Sequence, residues 1–140
     1  MKISFNFLKK ITLTNRTGLR GFIARMFEIE KSKAGQINFI FCSDEFLLEI
    51  NKTYLQHDYY TDIITFNLSA EGASAIDGEI YISIETVRDN ALRFSNSVSR
   101  ELHRVMFHGI LHLIGYDDSS QRLQTIMTDK EDFYLQLYFD

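Results

Sequence analysis

The stretch ELHRVMFHGILHLIGYDD, residues 101–118, combines an apolar helical pattern with two histidines four residues apart. Its apolar residues recur at spacings of three and four, which is typical of a helix with one buried face. His108 and His112 occupy positions i and i+4, so their Cβ atoms are expected about 5–6 Å apart on one face of this helix. Gly115 permits the left-handed conformation that ends a helix and reverses the chain. The stretch therefore predicts a helix followed by a sharp bend that carries Asp118 back toward the histidines.

His108, His112 and Asp118 would offer one divalent ion two imidazoles and a carboxylate. That combination occurs in catalytic zinc sites and leaves a fourth position for water. Other interpretations stay open, because histidine pairs at this spacing also occur by chance on helices. Asp118 would equally suit the N-cap of the last helix, with Gln121 completing a capping box. The spacing predicts a metal site near the C-terminus without excluding a purely structural acid.

The rest of the chain alternates between strand and helix patterns. Strands are predicted at 3–7, 36–42, 62–68 and 79–85. Helices are predicted from a cap at 14–17 to about Lys33 with Gly35 as its stop, at 44–55 after Ser43, at 85–94, at 99–114 after Ser97 or Ser99, and from about 119 to 138. This order predicts an α+β fold: a single domain over residues 1–140 with helices packed on a small mixed four-stranded sheet. The metal-binding helix lies near the C-terminus.

Composition restricts the class of protein. The chain has 140 residues, 45% of them hydrophobic, and a net charge of -4. Its single cysteine, Cys42, excludes an internal disulfide and is expected to be buried. No apolar run approaches the ~18 residues of a membrane span. We expect a cytoplasmic protein with no membrane anchor and no nucleotide cofactor.

Residues 9–25 carry basic side chains and no acid. This face would suit a phosphate backbone, although a solvated helix face has the same composition. Arg104 lies one turn before His108 and could direct its guanidinium at a phosphate near the ion, or be a surface arginine. Gly109 takes the position where zincin peptidases carry their glutamate base, which argues against a peptidase and leaves room beside the ion. His103 is expected to be partly exposed and not a ligand.

Three patches of the sequence resemble the YbeY family of metal-dependent endoribonucleases and rRNA maturation factors. They are INKTYLQHDYYTDIITF (50–66), GEIYIS (78–83) and HGILHLIGYDD (108–118), and the spacing of Met127 and Glu131 repeats the family's tail. The resemblance implies a zinc-dependent, single-strand-specific endoribonuclease. Its substrate would be an rRNA precursor at the 3′ end of 16S rRNA, with a role in ribosome quality control and with the ribosome or ribosomal proteins as partners.

The resemblance also implies site residues. His108, His112 and Asp118 would be the metal ligands, with Asp118 standing where the family has a third histidine. Leu55 stands where the family has an arginine, so another cation would have to bind the phosphate. The candidate substrate-binding residues are Lys52, Tyr54, Arg16 and Arg20, and the candidate catalytic residues are Arg104, Asp58 and Asp62. A ribosome-assembly factor with a structural metal is the alternative, and a small metallopeptidase is a more distant one.

Overall fold

The computed structural model describes residues 1–56 and 61–140. Within these residues the chain forms four strands and five helices in the predicted order. The strands are β1 (Lys2–Phe7), β2 (Ala34–Cys42), β3 (Ile63–Asn67) and β4 (Ile76–Ser83). The helices are α1 (Arg16–Ile29), α2 (Asp44–Leu55), α3 (Ile84–Arg93), α4 (Val98–Ile114) and α5 (Gln121–Phe139).

The strands form one mixed sheet in the order β1-β2-β4-β3. Strand β2 pairs in parallel with both β1 and β4, whereas β3 pairs antiparallel with β4 at the edge. Parallel neighbours need a crossover connection, which α1 provides between β1 and β2. The predicted α+β class and the mixed four-stranded sheet are confirmed.

The two faces of the sheet pack against different helices. Residues such as Phe39, Ile80 and Ile82 belong to the main core, which also holds buried residues of α1, α3, α4 and α5. The opposite face contributes Cys42 and Ile64 to a smaller cluster with Leu47 of α2. Burial and then the nearby charge of Asp44 raise the pKa of the Cys42 thiol to about 12, as expected of a buried apolar residue. The metal helix α4 and helix α2 thus lie on opposite faces of the sheet.

Gly109 allows α4 to approach the sheet closely. A Cβ atom at this position would lie 2.8 Å from Cγ2 of Ile80 and 3.0 Å from Cδ1 of Ile63. The sequence suggested that this glycine leaves room beside the ion, and the structure corrects that interpretation. The missing side chain makes room for the sheet, so α4 lies directly against β3 and β4.

The largest differences from the predicted element boundaries are at the end of α1 and in β4. Helix α1 ends at Ile29, four residues before the expected end, and Gly35 lies inside β2. Lys31 takes a φ of 58° and its N–H donates to Glu28 O, while Ser32 N–H donates to Phe27 O. These are the bonds of a Schellman motif, formed here by a lysine where a glycine is usual.

Strand β4 begins three residues earlier than predicted and ends two residues earlier. Ile76 already pairs with Ala34 across to β2. At the other end the Ser83 hydroxyl accepts a hydrogen bond from Thr86 N–H and so starts α3.

Candidate metal centre

Helix α4 begins and ends at residues that fix its position. The hydroxyl of Ser97, one of the two expected caps, accepts a hydrogen bond from Arg100 N–H. At the other end Gly115 adopts a φ of 125°, and Tyr116 N–H donates back to Leu111 O at 2.9 Å. Since a φ of this size favours glycine, Gly115 makes the predicted bend possible.

The bend brings His108, His112 and Asp118 together. One possible ligand atom from each lies within 4.8 Å of the others. The Nε2 atoms of His108 and His112 each lie 3.5 Å from Oδ2 of Asp118. Two ligands of a tetrahedral zinc ion are about 3.3 Å apart, given metal–ligand bonds of about 2.0–2.1 Å. The spacing of these three atoms therefore suits a divalent cation.

The alternative role of Asp118, as N-cap of the last helix, is wrong. The Ser120 hydroxyl caps α5 by accepting from Leu123 N–H. The carboxylate of Asp117 accepts the N–H groups of Asp118 and Ser119. These bonds shape the turn without the Asp118 carboxylate, which is 42% exposed and faces the two imidazoles.

Both imidazoles are held through Nδ1. His108 Nδ1 lies 2.5 Å from Oε2 of Glu131, and His112 Nδ1 lies 2.9 Å from the carbonyl oxygen of Tyr116. A carboxylate and a carbonyl accept hydrogen bonds, so each Nδ1 is the donor, and in the neutral form of each imidazole the lone pair is on Nε2. Metal-binding histidines commonly have such partners. The donor atoms, their spacing and the orientation of both rings fit a cation.

Arg104 is held between two buried acids. Its Nε and NH2 donate to both oxygens of Glu101, at 2.9 and 2.6 Å, and its NH1 donates to Oε1 of Glu131 at 3.0 Å. The hydrogen bond to Glu101 holds the pKa of Arg104 above its usual value. With these partners and a side chain that is 27% exposed, Arg104 is more than a plain surface arginine, and its predicted phosphate contact and catalytic role remain predictions. Its placement favours a role in positioning.

Tyr116 links the His112 side of the cluster to α1. Its hydroxyl donates to Glu30 at 2.6 Å, and Glu30 also accepts from the Tyr134 hydroxyl and from Lys130 Nζ. The Glu30 side chain is only 7% exposed. Burial alone would raise the pKa of this carboxyl, but the hydrogen bonds from Tyr116, Tyr134 and Lys130 outweigh it and leave the pKa lowered. Glu30 therefore ties α1 and α5 to the residue whose carbonyl orients His112.

Replacing Glu30 with glutamine is expected to lower the free energy of unfolding at pH 7 by about 1.5–3 kcal/mol, since hydrogen bonds to a charged acceptor are lost. A carboxylate with a lowered pKa stabilises the fold above its unfolded-state pKa, near 4.5, and loses that contribution as the pH falls through the lowered value. The difference between wild type and Glu30→Gln should therefore shrink below about pH 4.5. Urea unfolding from pH 3 to 7 measures it. Glu28→Gln, an exposed acid on the same helix, is the control, and an equal effect there would contradict the assignment.

Of the two predicted catalytic acids, Asp62 lies within the described residues. Asp62 directly precedes β3, and its backbone carbonyl accepts from Ser83 N–H. The next residue, Ile63, packs at Gly109, so Asp62 precedes the end of the edge strand that packs against α4. Asp58 lies outside the described residues. The catalytic roles of both acids remain predictions.

The candidate substrate-binding residues lie away from the metal cluster. Tyr54 and Lys52 belong to α2, on the opposite sheet face, where the exposed ring of Tyr54 contacts Phe66 edge-on. Arg16 and Arg20 lie in the first half of α1, over β1, which forms the edge of the sheet opposite β3. The guanidinium of Arg16 covers the ring of Phe7, and that of Arg20 the ring of Phe5. Substrate binding by these four residues remains a prediction.

Sequence reasoning missed Glu131, Tyr116 and Glu30 as partners of the site. Glu131 interrupts the buried stripe of α5 between Met127 and Leu135, and an acid in an apolar stripe signals a buried partner. Glu30 ends the apolar stripe of α1 in the same way. Tyr116 orients His112 through its backbone carbonyl, and every residue type has such a carbonyl, so the sequence gives no signal for this contact.

His103, expected to be partly exposed, is only 3% exposed and stacks on Tyr138, because the end of α5 covers it. Burial lowers the pKa of this imidazole.

Among residues 1–56 and 61–140, no helix has both the length and the apolar character of a membrane span.

Comparison with known proteins identifies the family. The family described as Endoribonuclease YbeY matches residues 7–138. Proteins named Endoribonuclease YbeY include one from Cytophaga hutchinsonii, 46% identical over 89% of this chain and 87% of its own length. Another, from Flavobacterium psychrophilum, is 43% identical over 97% of this chain and 96% of its own length. The solution structure of TM1509 from Thermotoga maritima superposes with a TM-score of 0.62 at 30% identity, covering 99% of this chain and 89% of that one. The chain belongs to the YbeY endoribonuclease family.

Proposed function

We propose that this chain is a metal-dependent endoribonuclease that cleaves single-stranded RNA during rRNA maturation, at the 3′ end of 16S rRNA. Residues 1–140 would act as one hydrolase domain, in the cytoplasm and in contact with the ribosome or its proteins. The observation that carries this proposal is the His108–His112–Asp118 cluster in a chain of this family. Relatives that share more than two fifths of its residues over most of their length carry the name Endoribonuclease YbeY.

His108, His112 and Asp118 would hold the cation, and we propose zinc because two imidazoles and one carboxylate are among its usual ligands. A divalent cation supplies Lewis-acid chemistry, since it polarises a phosphoryl oxygen and acidifies a water or hydroxyl group. Asp118 brings a negative charge where the family has a neutral histidine. That charge lowers the net charge of the occupied site by one and makes the ligand set harder. Manganese or another oxygen-preferring ion is therefore the competitor to test.

The protein's own residues orient the site and leave it open to RNA. Glu131 and the Tyr116 carbonyl hold the two imidazoles, and substrate would enter from the side on which Asp118 is exposed. A peptidase is disfavoured, because the position after His108 is a glycine packed on the sheet. Asp62 is the described acid proposed to take up a proton, and Arg16 and Arg20 would contact RNA backbone remote from the cleaved bond.

Chelation of the purified protein is expected to lower cleavage of a single-stranded 16S rRNA precursor by more than about 100-fold, which exceeds the usual effect of losing a residue that only hydrogen-bonds to a metal ligand. Adding zinc back should restore cleavage, and manganese and magnesium are compared at equal concentration. Cleavage that persists after chelation would contradict the proposal. Salt-dependent binding of the RNA without any cleavage by the metal-loaded protein would favour an assembly factor instead.

A further inference from the structure

The metal cluster is joined to the first turn of α4 by a chain of hydrogen bonds that includes two buried acids. It runs from Glu101 through Arg104 and Glu131 to His108. Glu101 is 1% exposed and Glu131 is 4% exposed. A buried carboxylate with one strong donor on each side has each oxygen assigned to one partner. Here Oε1 of Glu131 faces Arg104, and Oε2 faces His108.

We propose that Arg104 is a positioning residue which, through Glu131, fixes His108 in the tautomer that carries its proton on Nδ1. The guanidinium offers only donors, so the group at position 131 must turn an acceptor toward it. A carboxylate satisfies that demand and still has a second acceptor for His108. His108 then donates from Nδ1, and its Nε2 lone pair is directed at Asp118 and the proposed cation. This inference rests on the proposed function, because only a metal ligand needs that lone pair.

The two imidazoles differ in this respect. His112 faces the carbonyl of Tyr116, which accepts by its nature. His108 faces a side chain whose hydrogen-bonding character depends on the residue at position 131. Only His108 therefore needs a second residue to set its tautomer, and Arg104 reaches Glu131 from the same helix face, one turn away.

Glutamine at position 131 separates this role from simple packing. Its amide has one acceptor and two donors, and Arg104 would take the acceptor. The NH₂ group would then face Nδ1 of His108, and the imidazole proton would move to Nε2, where it blocks metal binding. Methionine at 131 has no such preference. If Glu131 only fills space, the glutamine variant should lose less zinc affinity than the methionine variant. If Glu131 fixes the tautomer of His108, the glutamine variant should lose more.

The experiment compares Glu131→Gln, Glu131→Met, and the triple variant Glu101→Gln/Arg104→Met/Glu131→Gln. Ring ¹⁵N shifts of His108 in the metal-free protein at alkaline pH report the tautomer directly, and competition with a chromogenic chelator reports zinc affinity. We expect protonated Nε2 in Glu131→Gln, with a loss of zinc affinity of about 100-fold, against about 10-fold in Glu131→Met. In the triple variant the amide is free to turn, so the Nδ1–H tautomer should return, with an affinity within about 10-fold of wild type.

Several results would overturn the inference. One is Nδ1 protonation in Glu131→Gln, and another is zinc binding by that variant as tight as in Glu131→Met. If Glu131→Gln does not fold, the triple variant is compared with Glu131→Met. A triple variant that does not bind zinc more tightly than Glu131→Met would also contradict the role of Arg104 in fixing the tautomer. The tautomer is read without metal. Failure of the wild-type protein to bind zinc would therefore contradict the proposed function. The ring ¹⁵N shifts of His108 would still test the role of Arg104.

Discussion

Replacing His112 with alanine is expected to lower RNA cleavage by more than about 100-fold, beyond the range for loss of a residue that only supports a ligand. The substitution removes one of three donor atoms of the cluster and leaves His108 and Asp118 as a pair. Two protein ligands do not make the three-ligand site typical of catalytic zinc. Cleavage of single-stranded rRNA, measured under single-turnover conditions with excess zinc, gives the size of the loss.

The same substitution should leave the fold intact. The His112 side chain is 23% exposed, and its described hydrogen bond goes to the carbonyl of Tyr116. The free energy of unfolding of the metal-free variant should therefore stay within about 1 kcal/mol of metal-free wild type. Because both proteins are purified alike, His112→Ala also controls for contaminating nucleases. Undiminished cleavage by the variant would show that the cluster is not needed for cleavage.

Removing the metal should destabilise the protein substantially. A ligand present at 1,000 times its dissociation constant stabilises the folded state by about 4 kcal/mol. The cluster joins the end of α4 to the turn before α5, so a bound ion would hold two helices together. We expect chelation to lower the melting temperature by about 10 °C or more for a domain of this size. Calorimetry of metal-loaded and metal-free protein measures the shift.

A pair of aspartate substitutions tests where the ion acts. Asp118→Ala should abolish the stabilisation by zinc, because it removes the one carboxylate of the cluster. Asp132→Ala removes an exposed carboxylate on α5 and should leave the zinc-dependent shift unchanged. Equal shifts in both variants would show that the metal stabilises the protein somewhere else.

The order of elements follows from local signals that the structure retains. Ser43, Ser83, Ser97 and Ser120 each accept a backbone N–H at the start of a helix. Serine at a helix start competes well for those unpaired donors, so these boundaries are readable within a residue or two. The His108–His112 spacing and the Gly115 bend belong to the same class of local signal, and together they predict the cluster.

The remaining features depend on contacts between distant segments. Helix α1 ends early because Lys31 takes a left-handed conformation that its residue type disfavours. Glu131 approaches His108 from another helix, and the pairing of Ile76 with Ala34 extends β4 into a region whose composition indicates a turn. The close contact of Gly109 with the sheet likewise depends on how α4 packs. None of these contacts leaves a periodic pattern in one sequence.

We expect His108, His112 and Asp118 to bind one cation. A crystal structure of the protein grown with zinc, with anomalous data on both sides of the zinc edge, measures this directly. We expect one zinc ion about 2.0–2.2 Å from Nε2 of each histidine and from a carboxylate oxygen of Asp118. An anomalous peak at other side chains, or none between these three in saturating zinc, would contradict it.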